Sequence, residues 1–193
     1  DQTRVGLNFT SKTQYHFNID GKARFPQLDN REYTLPLTAD VNTPDQLMLS
    51  VVHDVNKRWS VMGDLGWQNW SAYGSNQIYT GSRPLDRDNK LQDTWHTAFG
   101  VQFRPDETWR LNTGIAYDSS FYKSQDDASL TMPSGAAWRF GAGAQYQVTT
   151  ASNVGMAFEY LTMESSQVEN PLVKGGYDDP SIYFFSINYN YEF

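Results

Sequence analysis

The chain has 193 residues and a formal net charge of -7 at pH 7, and without a basic cluster this charge argues against nucleic-acid binding. It has no cysteine, which excludes disulfides and thiolate metal sites. Aromatic residues make up 15% of the chain although its mean hydropathy is only -0.63, an unusual combination for a soluble protein. A transmembrane β-barrel accounts for both values, because each strand pairs an apolar outer face, flanked by aromatic girdles, with a polar inner face.

The first predicted strand covers residues 4–20, where apolar and polar side chains alternate. One parity is apolar (Val5, Leu7, Phe9, Tyr15, Phe17, Ile19) and the other is polar (Asn8, Thr10, Lys12, Gln14, His16, Asn18, Asp20). A helix would mix the two sets, so the period of two predicts a strand. A strand of this length is expected to cross a bilayer at a tilt and to project beyond it.

The same alternation predicts seven further strands, at 46–55, 59–68, 95–103, 109–118, 138–148, 154–160 and 183–193. No linker separates them, so residues 1–193 are expected to form one all-β domain, an antiparallel transmembrane barrel with about eight strands. The last strand is apolar on one face up to Phe193, and it is expected to pair with another strand and to contact the barrel-assembly machinery.

The connections alternate in length, short at 56–58, 105–107 and 149–153 and long near 20–45, 70–92, 119–137 and 162–180. This asymmetry is typical of bacterial outer-membrane barrels, and it predicts extracellular long loops and periplasmic termini. Trp59 and Trp109 follow short turns whereas the other four tryptophans lie toward the long loops, as two membrane interfaces would require. A soluble barrel with an apolar interior is the alternative interpretation.

The inward parity carries charges of both signs, at Arg4, Lys12, Asp64, His96, Arg110, Asp118, Arg139, Glu159 and Glu192. Seven glycines share this parity and leave room for long side chains (Gly6, Gly66, Gly100, Gly114, Gly141, Gly143, Gly155). Enclosed charges must pair or be hydrated, so a polar network with salt bridges is expected in the lumen. If the eight strands close on themselves, such side chains would fill the interior.

No catalytic, metal or cofactor site is expected. The histidines are His16, His53 and His96, and none has metal-site spacing or a serine in a nucleophile-elbow context. The acidic runs at 86–90 and 125–127 are interpreted as solvated loop tips, with binding of cations or cation-bridged lipopolysaccharide as the alternative.

Several segments of the chain share order and spacing with one known family. These are residues 3–12 (TRVGLNFTSK), 64–71 (DLGWQNWS), 109–118 (WRLNTGIAYD), Met132-Pro133, Trp138 and 188–193 (NYNYEF). Together they resemble the C-terminal portion of the FadL family, outer-membrane transporters of long-chain fatty acids and other hydrophobic compounds. The resemblance covers essentially the whole chain and implies transport across the outer membrane, with lipid and lipopolysaccharide around the barrel.

Two departures from the family pattern limit what the resemblance implies. Residues 134–137 read SGAA where the family generally has acidic and basic residues, and the family's N-terminal hatch and earlier strands of its fourteen-stranded barrel are absent. The chain is therefore expected to be either part of a larger transporter or a closed eight-stranded structural or adhesive barrel that does not transport.

Members of this family capture their substrates first at the extracellular face. The resemblance therefore implies that aromatic residues in the long loops are candidates for substrate binding. Phe121, Tyr122, Tyr73 and Tyr79 are candidates for holding a hydrophobic ligand. Their alternative role is anchoring at the membrane interface. Convergence of Phe121 and Tyr122 on a pocket would favour the first role.

Overall fold

The computed structural model describes residues 2–24, 32–75, 78–80, 83–85, 91–124, 135–169 and 174–192. Its strands are β1 (Thr3–Thr10), β2 (Gln14–Arg24), β3 (Glu32–Asn42), β4 (Gln46–Asp54), β5 (Trp59–Gln68), β6 (Ile78–Thr80), β7 (Arg83–Leu85), β8 (Thr94–Phe103), β9 (Trp109–Asp118), β10 (Ala137–Thr149), β11 (Ser152–Met163), β12 (Ser166–Glu169), β13 (Lys174–Tyr177) and β14 (Ser181–Tyr191). A 3₁₀ helix spans Trp70–Ser75. None of the helical structure in these ranges is long and apolar enough to cross a membrane.

Eight strands form the main sheet, in the order β1-β4-β5-β8-β9-β10-β11-β14, and every neighbouring pair is antiparallel. This confirms the prediction of an antiparallel all-β fold with eight strands. Each strand pairs with the next member of the set because short turns or returning loops connect consecutive strands. In the described part of the chain, β1 and β14 do not pair with each other, so the sheet has two free edges. Closure on eight strands, one of the two alternatives for this chain, is not observed there.

One face of the main sheet is apolar and exposed. Its side chains include Leu7 at 71% exposure, Trp95 at 62%, Met156 at 57% and Ile187 at 67%. The opposite face carries the polar residues and glycines of the other parity. The cross-strand pairs preserve this division, because apolar Phe99 pairs with Ile115, which pairs with Phe140. A face this large and apolar requires a non-aqueous environment.

The first predicted strand is in fact two strands, and the prediction of a single strand over 4–20 is wrong. β1 ends at Thr10 and β2 begins at Gln14, and at the break the Lys12 backbone N–H donates to Asp45 Oδ1 at 2.8 Å. The register nevertheless continues, since Thr10 pairs with Gln46 and Gln14 pairs with Asn42. The two segments share one parity, which is why the alternation did not reveal the break.

The segment near 20–45, expected to be a solvated loop, instead contains paired strands. β2, β3, β6 and β7 form a four-stranded sheet, here called the outer arm, beyond the main sheet. At about 3.3 Å per residue, the eleven residues of β2 reach roughly 35 Å past the break. β12 and β13 form a second, smaller hairpin within the connection near 162–180.

Two of the short turns are fixed in the same way by a side-chain acceptor. Asn56 Oδ1 accepts from the backbone N–H groups of Arg58 and Trp59 at 2.8 and 3.0 Å. Asp106 Oδ1 accepts from those of Thr108 and Trp109 at 2.8 and 3.0 Å. Each turn thus has Asn or Asp three residues before the tryptophan that starts the next strand. The hydrogen bonds from the backbone to that side chain stabilise the turn.

The Asp106 turn predicts an acid-dependent contribution to stability. The hydroxyl of Thr108 and the nearby backbone N–H groups, opposed by some desolvation, hold the pKa of Asp106 below its ordinary value of 3.8. A lowered pKa in the folded state stabilises the fold above 3.8, and this contribution is lost as the pH falls through the folded-state pKa.

We therefore expect Asp106→Asn in the full-length protein to reduce the acid sensitivity of unfolding while keeping the acceptor oxygen. Asn56→Asp, the reverse change at the matching turn, should add acid sensitivity. Unfolding midpoints across a pH series in detergent would measure both, and parallel curves for all three proteins would contradict the assignment.

The exposed apolar face predicts a depth-dependent cost for a charge. Ile115 lies in the middle of β9, and Leu111 lies near its short-turn end on the same face. In lipid, Ile115→Arg should cost about 2–4 kcal/mol and Leu111→Arg about 0–1 kcal/mol. Equilibrium unfolding of the full-length protein from vesicles would measure both. Equal, small costs would show that this face does not contact the hydrocarbon region.

Candidate functional site

A groove of about 760 Å³ lies on the polar face of the main sheet, across β5, β8, β9, β10, β11 and β14. Six strands border one cavity, so this face must be concave. Residues that define its character are Met62, Asp64, Arg139, Glu159, Phe184 and Asn188. The groove therefore combines apolar side chains with both signs of charge.

The floor of the groove is a row of glycines on three adjacent strands. Gly100 of β8 pairs with Gly114 of β9, which pairs with Gly141 of β10. At about 4.8 Å between strands, this glycine row is roughly 10 Å wide. A Cβ atom built on Gly100 or Gly141 would approach no atom closer than 3.6 or 3.9 Å, which is ordinary van der Waals contact, whereas one built on Gly114 would meet the Phe99 carbonyl oxygen at 3.0 Å. The backbone itself forms the floor.

Met62 stands at one end of the glycine row and Glu159 at the other. Met62 pairs with Gly100, and Glu159 pairs with Gly141 on one side and with Phe184 on the other. Phe184 is an exception to the polar pattern of the inner face and is half exposed. The groove is thus bordered by apolar groups at both sides, with a carboxylate between the floor and Phe184.

Four of the predicted lumen residues form one connected chain of charges. His96 Nδ1 lies 2.7 Å from Asp118 Oδ1, and Arg139 Nε donates to Asp118 Oδ2 at 2.8 Å. Arg139 Nη1 donates to Glu159 Oε1 at 3.3 Å. The register brings His96 directly opposite Asp118, while Arg139 reaches diagonally to its two carboxylates. This charge chain crosses four strands, and two of its members, Arg139 and Glu159, line the groove.

The remaining predicted lumen residues are separate from the charge chain. Asp64 accepts from Ser50 Oγ at 2.5 Å, and Arg4 donates to Asp54 at 3.2 Å. Lys12 lies in the break between β1 and β2. In the described ranges, neither Arg110 nor Glu192 makes an ion pair.

A second polar cluster was missed from the sequence. Asp54 Oδ1 accepts from Ser60 Oγ at 2.5 Å, and Arg104 Nη1 donates to the same hydroxyl at 3.2 Å. Ser60 is 2% exposed, the most enclosed polar group of the main sheet. The positions of these residues in the sequence could have predicted the cluster. Asp54 ends β4, Ser60 is its partner near the start of β5, and both have the inward parity.

Phe121 and Tyr122, the candidate ligand contacts, pack together with other loop residues. Tyr122 is 8% exposed and forms a bridge with Leu91, while the Phe121 ring stacks on Trp70 at 5.6 Å. Tyr177 also packs on this group, here called the rim cluster. The side chains of Tyr73 and Tyr79 lie outside the part of the chain that the structure describes.

The other two histidines lie apart from the charge chain. His53 Nδ1 lies 2.8 Å from Thr3 Oγ1 on the apolar face, and His16 lies in β2 of the outer arm. Residues 86–90 and 125–127 are outside the described ranges. Among the residues that are described, no group of three or more His, Cys, Asp or Glu side chains could hold a metal ion.

Comparison with known proteins gives one consistent result. The family model for "Outer membrane protein transport protein (OMPP1/FadL/TodX)" matches residues 1–193. The long-chain fatty acid transport protein of Escherichia coli K12 is 23% identical over 209 residues, which cover 98% of this chain and 45% of that protein. The chain thus spans about half the length of the curated relatives that it matches.

Solved structures show the same fold. A Pseudomonas aeruginosa FadL homologue superposes with a TM-score of 0.78 at 18% identity, covering 98% of this chain and 49% of its own. The Pseudomonas putida toluene transporter TodX gives a TM-score of 0.66 at 17% identity, covering all of this chain and 46% of its own.

The charge chain predicts a small but measurable coupling. Arg139 and Glu159 are 42% and 37% exposed, so water screens their attraction. A double-mutant cycle with Arg139→Gln and Glu159→Gln should give about 0.2–1 kcal/mol, well below the roughly 3–5 kcal/mol lost when an enclosed pair is broken. The free energy of unfolding of the full-length protein measures it. The matched cycle of Arg110→Gln with Glu159→Gln should give no coupling, and equal values for both cycles would contradict the pairing.

Proposed function

Because the chain belongs to the family of outer membrane transport proteins that includes FadL and TodX, we propose that it forms the C-terminal half of a channel wall for hydrophobic compounds. The family is one of transport proteins, which agrees with the prediction that the chain is not an enzyme. The relatives are named for long-chain fatty acids and for toluene. Hydrophobicity is the property that these compounds share.

The observation that carries this proposal is the groove along the inner face. Its floor is backbone at Gly100, Gly114 and Gly141, so an apolar molecule can lie on the wall without displacing a side chain. Met62 and Phe184 border the floor and supply apolar contacts.

The two free edges of the sheet support a larger barrel in preference to the stand-alone structural or adhesive alternative. β1 and β14 each have one unpaired side in the described ranges, and unpaired edges are unfavourable in a membrane. Strands from the rest of a longer protein would satisfy both edges. The exposed aromatic face of β14 would meet lipid and is proposed as a contact for the barrel-assembly machinery.

For orientation, we propose that the short turns and termini are periplasmic and that the long connections, the outer arm and the rim cluster are extracellular. Aromatic pairs at two depths support two membrane interfaces: Trp59 stacks with Phe103 at 4.3 Å beside a short turn, and Trp138 packs on Tyr117 at 4.9 Å at the other end. Extracellular loops of this kind would contact lipopolysaccharide.

Adjacent residues of β10 provide a matched test of the proposed path. Gly141 and Ala142 both border the groove, but Ala142 has the opposite parity, so its exposed side chain lies on the apolar face. In the full-length protein, Gly141→Phe should reduce uptake of toluene and of palmitate toward the level of cells lacking the protein, because the ring would occupy the floor. Ala142→Phe adds the same volume on the lipid side and should leave uptake unchanged.

Uptake of labelled compounds by cells that express each variant at equal levels would measure this. Unchanged uptake in Gly141→Phe, with the protein folded in the outer membrane, would exclude the groove as the path.

A further inference from the structure

We propose that the hairpin of β12 and β13 is a hinged cover over the rim cluster, and that its opening exposes an apolar binding site at Phe121 and Tyr122. The cover is independent of the proposed transport function, whereas the class of ligand, a hydrophobic compound, rests on that function. A fixed platform, a latch at Tyr177 and a strained hinge support the proposal.

The platform under the cover consists of residues 91–92 and 120–122, which belong to two different connections. The Gln92 backbone N–H donates to the carbonyl oxygen of Phe121 at 2.7 Å, and the Gln92 side-chain amide donates to that of Ser120 at 3.0 Å. Leu91 and Tyr122 form the neighbouring bridge, and the Phe121 ring packs on Tyr122 at 4.4 Å. These contacts are made within the platform, so its apolar surface stays assembled when the cover leaves.

The latch is the side chain of Tyr177, at the end of β13. It packs against Leu91 and Tyr122, whose side chains are only 7% and 8% exposed. An apolar group of similar size could cover the same surface with little loss of buried area. Tyr177 therefore lies where an aromatic ring or the end of an alkyl chain would bind.

A buried polar group next to the latch opposes the closed position. Ser166 pairs with Tyr177 across the hairpin and is 1% exposed, and its hydroxyl forms no hydrogen bond with any residue that the structure describes. A buried hydroxyl without a partner destabilises the state that buries it, and opening would return this one to water. The cover is thus held shut by Tyr177 and biased toward opening by Ser166.

The hinge consists of two short segments, 164–165 after β11 and 178–180 before β14. Asp179 has a φ of 43°, in the left-handed region that favours glycine. The Ser165 hydroxyl donates to Asp179 Oδ1 at 3.0 Å, and the Asp179 backbone N–H donates to Ser165 Oγ at 3.2 Å. These bonds join the two segments in the closed position. Strained backbone of this kind is typical of segments that switch between positions.

The test measures how often the platform is exposed. Leu91→Cys places a thiol at a buried position, and in the full-length protein in nanodiscs, with no other cysteine, its rate of labelling by a maleimide reports opening. Adding Ser166→Ala should slow labelling about fivefold, because the unpartnered hydroxyl is removed. Adding Tyr177→Ala should speed labelling. Ser165→Ala, the matched change at the neighbouring residue, should also speed it, because two hydrogen bonds across the hinge are lost.

The control probe is Lys123→Cys, at an exposed position beside the platform. Its labelling rate should be the same in all these backgrounds. Unchanged or faster labelling of the Leu91→Cys probe with Ser166→Ala, or unchanged labelling with Tyr177→Ala, would overturn the cover.

The ligand is tested separately, by the fluorescence of naphthalene bound to the same protein without the introduced cysteine, with empty nanodiscs as the blank. A ligand that binds the open state alone has its apparent affinity reduced by the fraction of closed protein. Ser166→Ala should therefore weaken naphthalene binding by the factor by which it slows labelling. Unchanged binding would refute the ligand site and leave the cover standing. Failure of wild-type cells to take up toluene and palmitate would refute transport without altering the labelling result.

Discussion

The hydrogen-bonded register across the eight strands is the constraint on which the rest of the structure depends. Because side chains alternate with a period of two, a slip of one residue in any strand would exchange its faces. The pairing of Gly100, Gly114 and Gly141 places three glycines side by side. The same register places the charges of His96 and Asp118 opposite each other on that face. The apolar exterior and the groove are two results of one alignment.

The groove combines two features that weaken a sheet and are tolerated where a ligand must approach. Glycines in strand interiors contribute no side-chain contact and are more mobile when unfolded, which costs about 0.5–1 kcal/mol each relative to alanine. The charge chain offsets little of the destabilisation caused by these glycines. Its members are about one-quarter to two-fifths exposed, so water screens their attraction. Stability must therefore come from the ladder and from the apolar face in lipid, and the inner face remains available for function.

Period-two alternation was sufficient to predict the eight strands and their faces, because both depend on local order in the sequence. It could not show the break at Lys12, since Thr10 and Gln14 share one parity on either side of it. It also could not show that Arg139 is paired whereas Arg110 is not, because diagonal contacts depend on twist and on rotamers. Closure likewise depends on what the edges of β1 and β14 meet, which no local pattern encodes.

The two turns with Asn or Asp three residues before tryptophan have an evolutionary consequence. Asn56 and Asp106 each fix a hairpin through bonds made within that hairpin alone. The register between the two strands of such a hairpin is fixed within the hairpin itself. It is therefore preserved when the coding segment of the hairpin is duplicated or deleted. Insertion or deletion of one unit would change the circumference by two strands without shifting the pairing of the others. Barrels of different diameter can therefore arise from a common set of hairpins by duplication, with little need for compensating mutations.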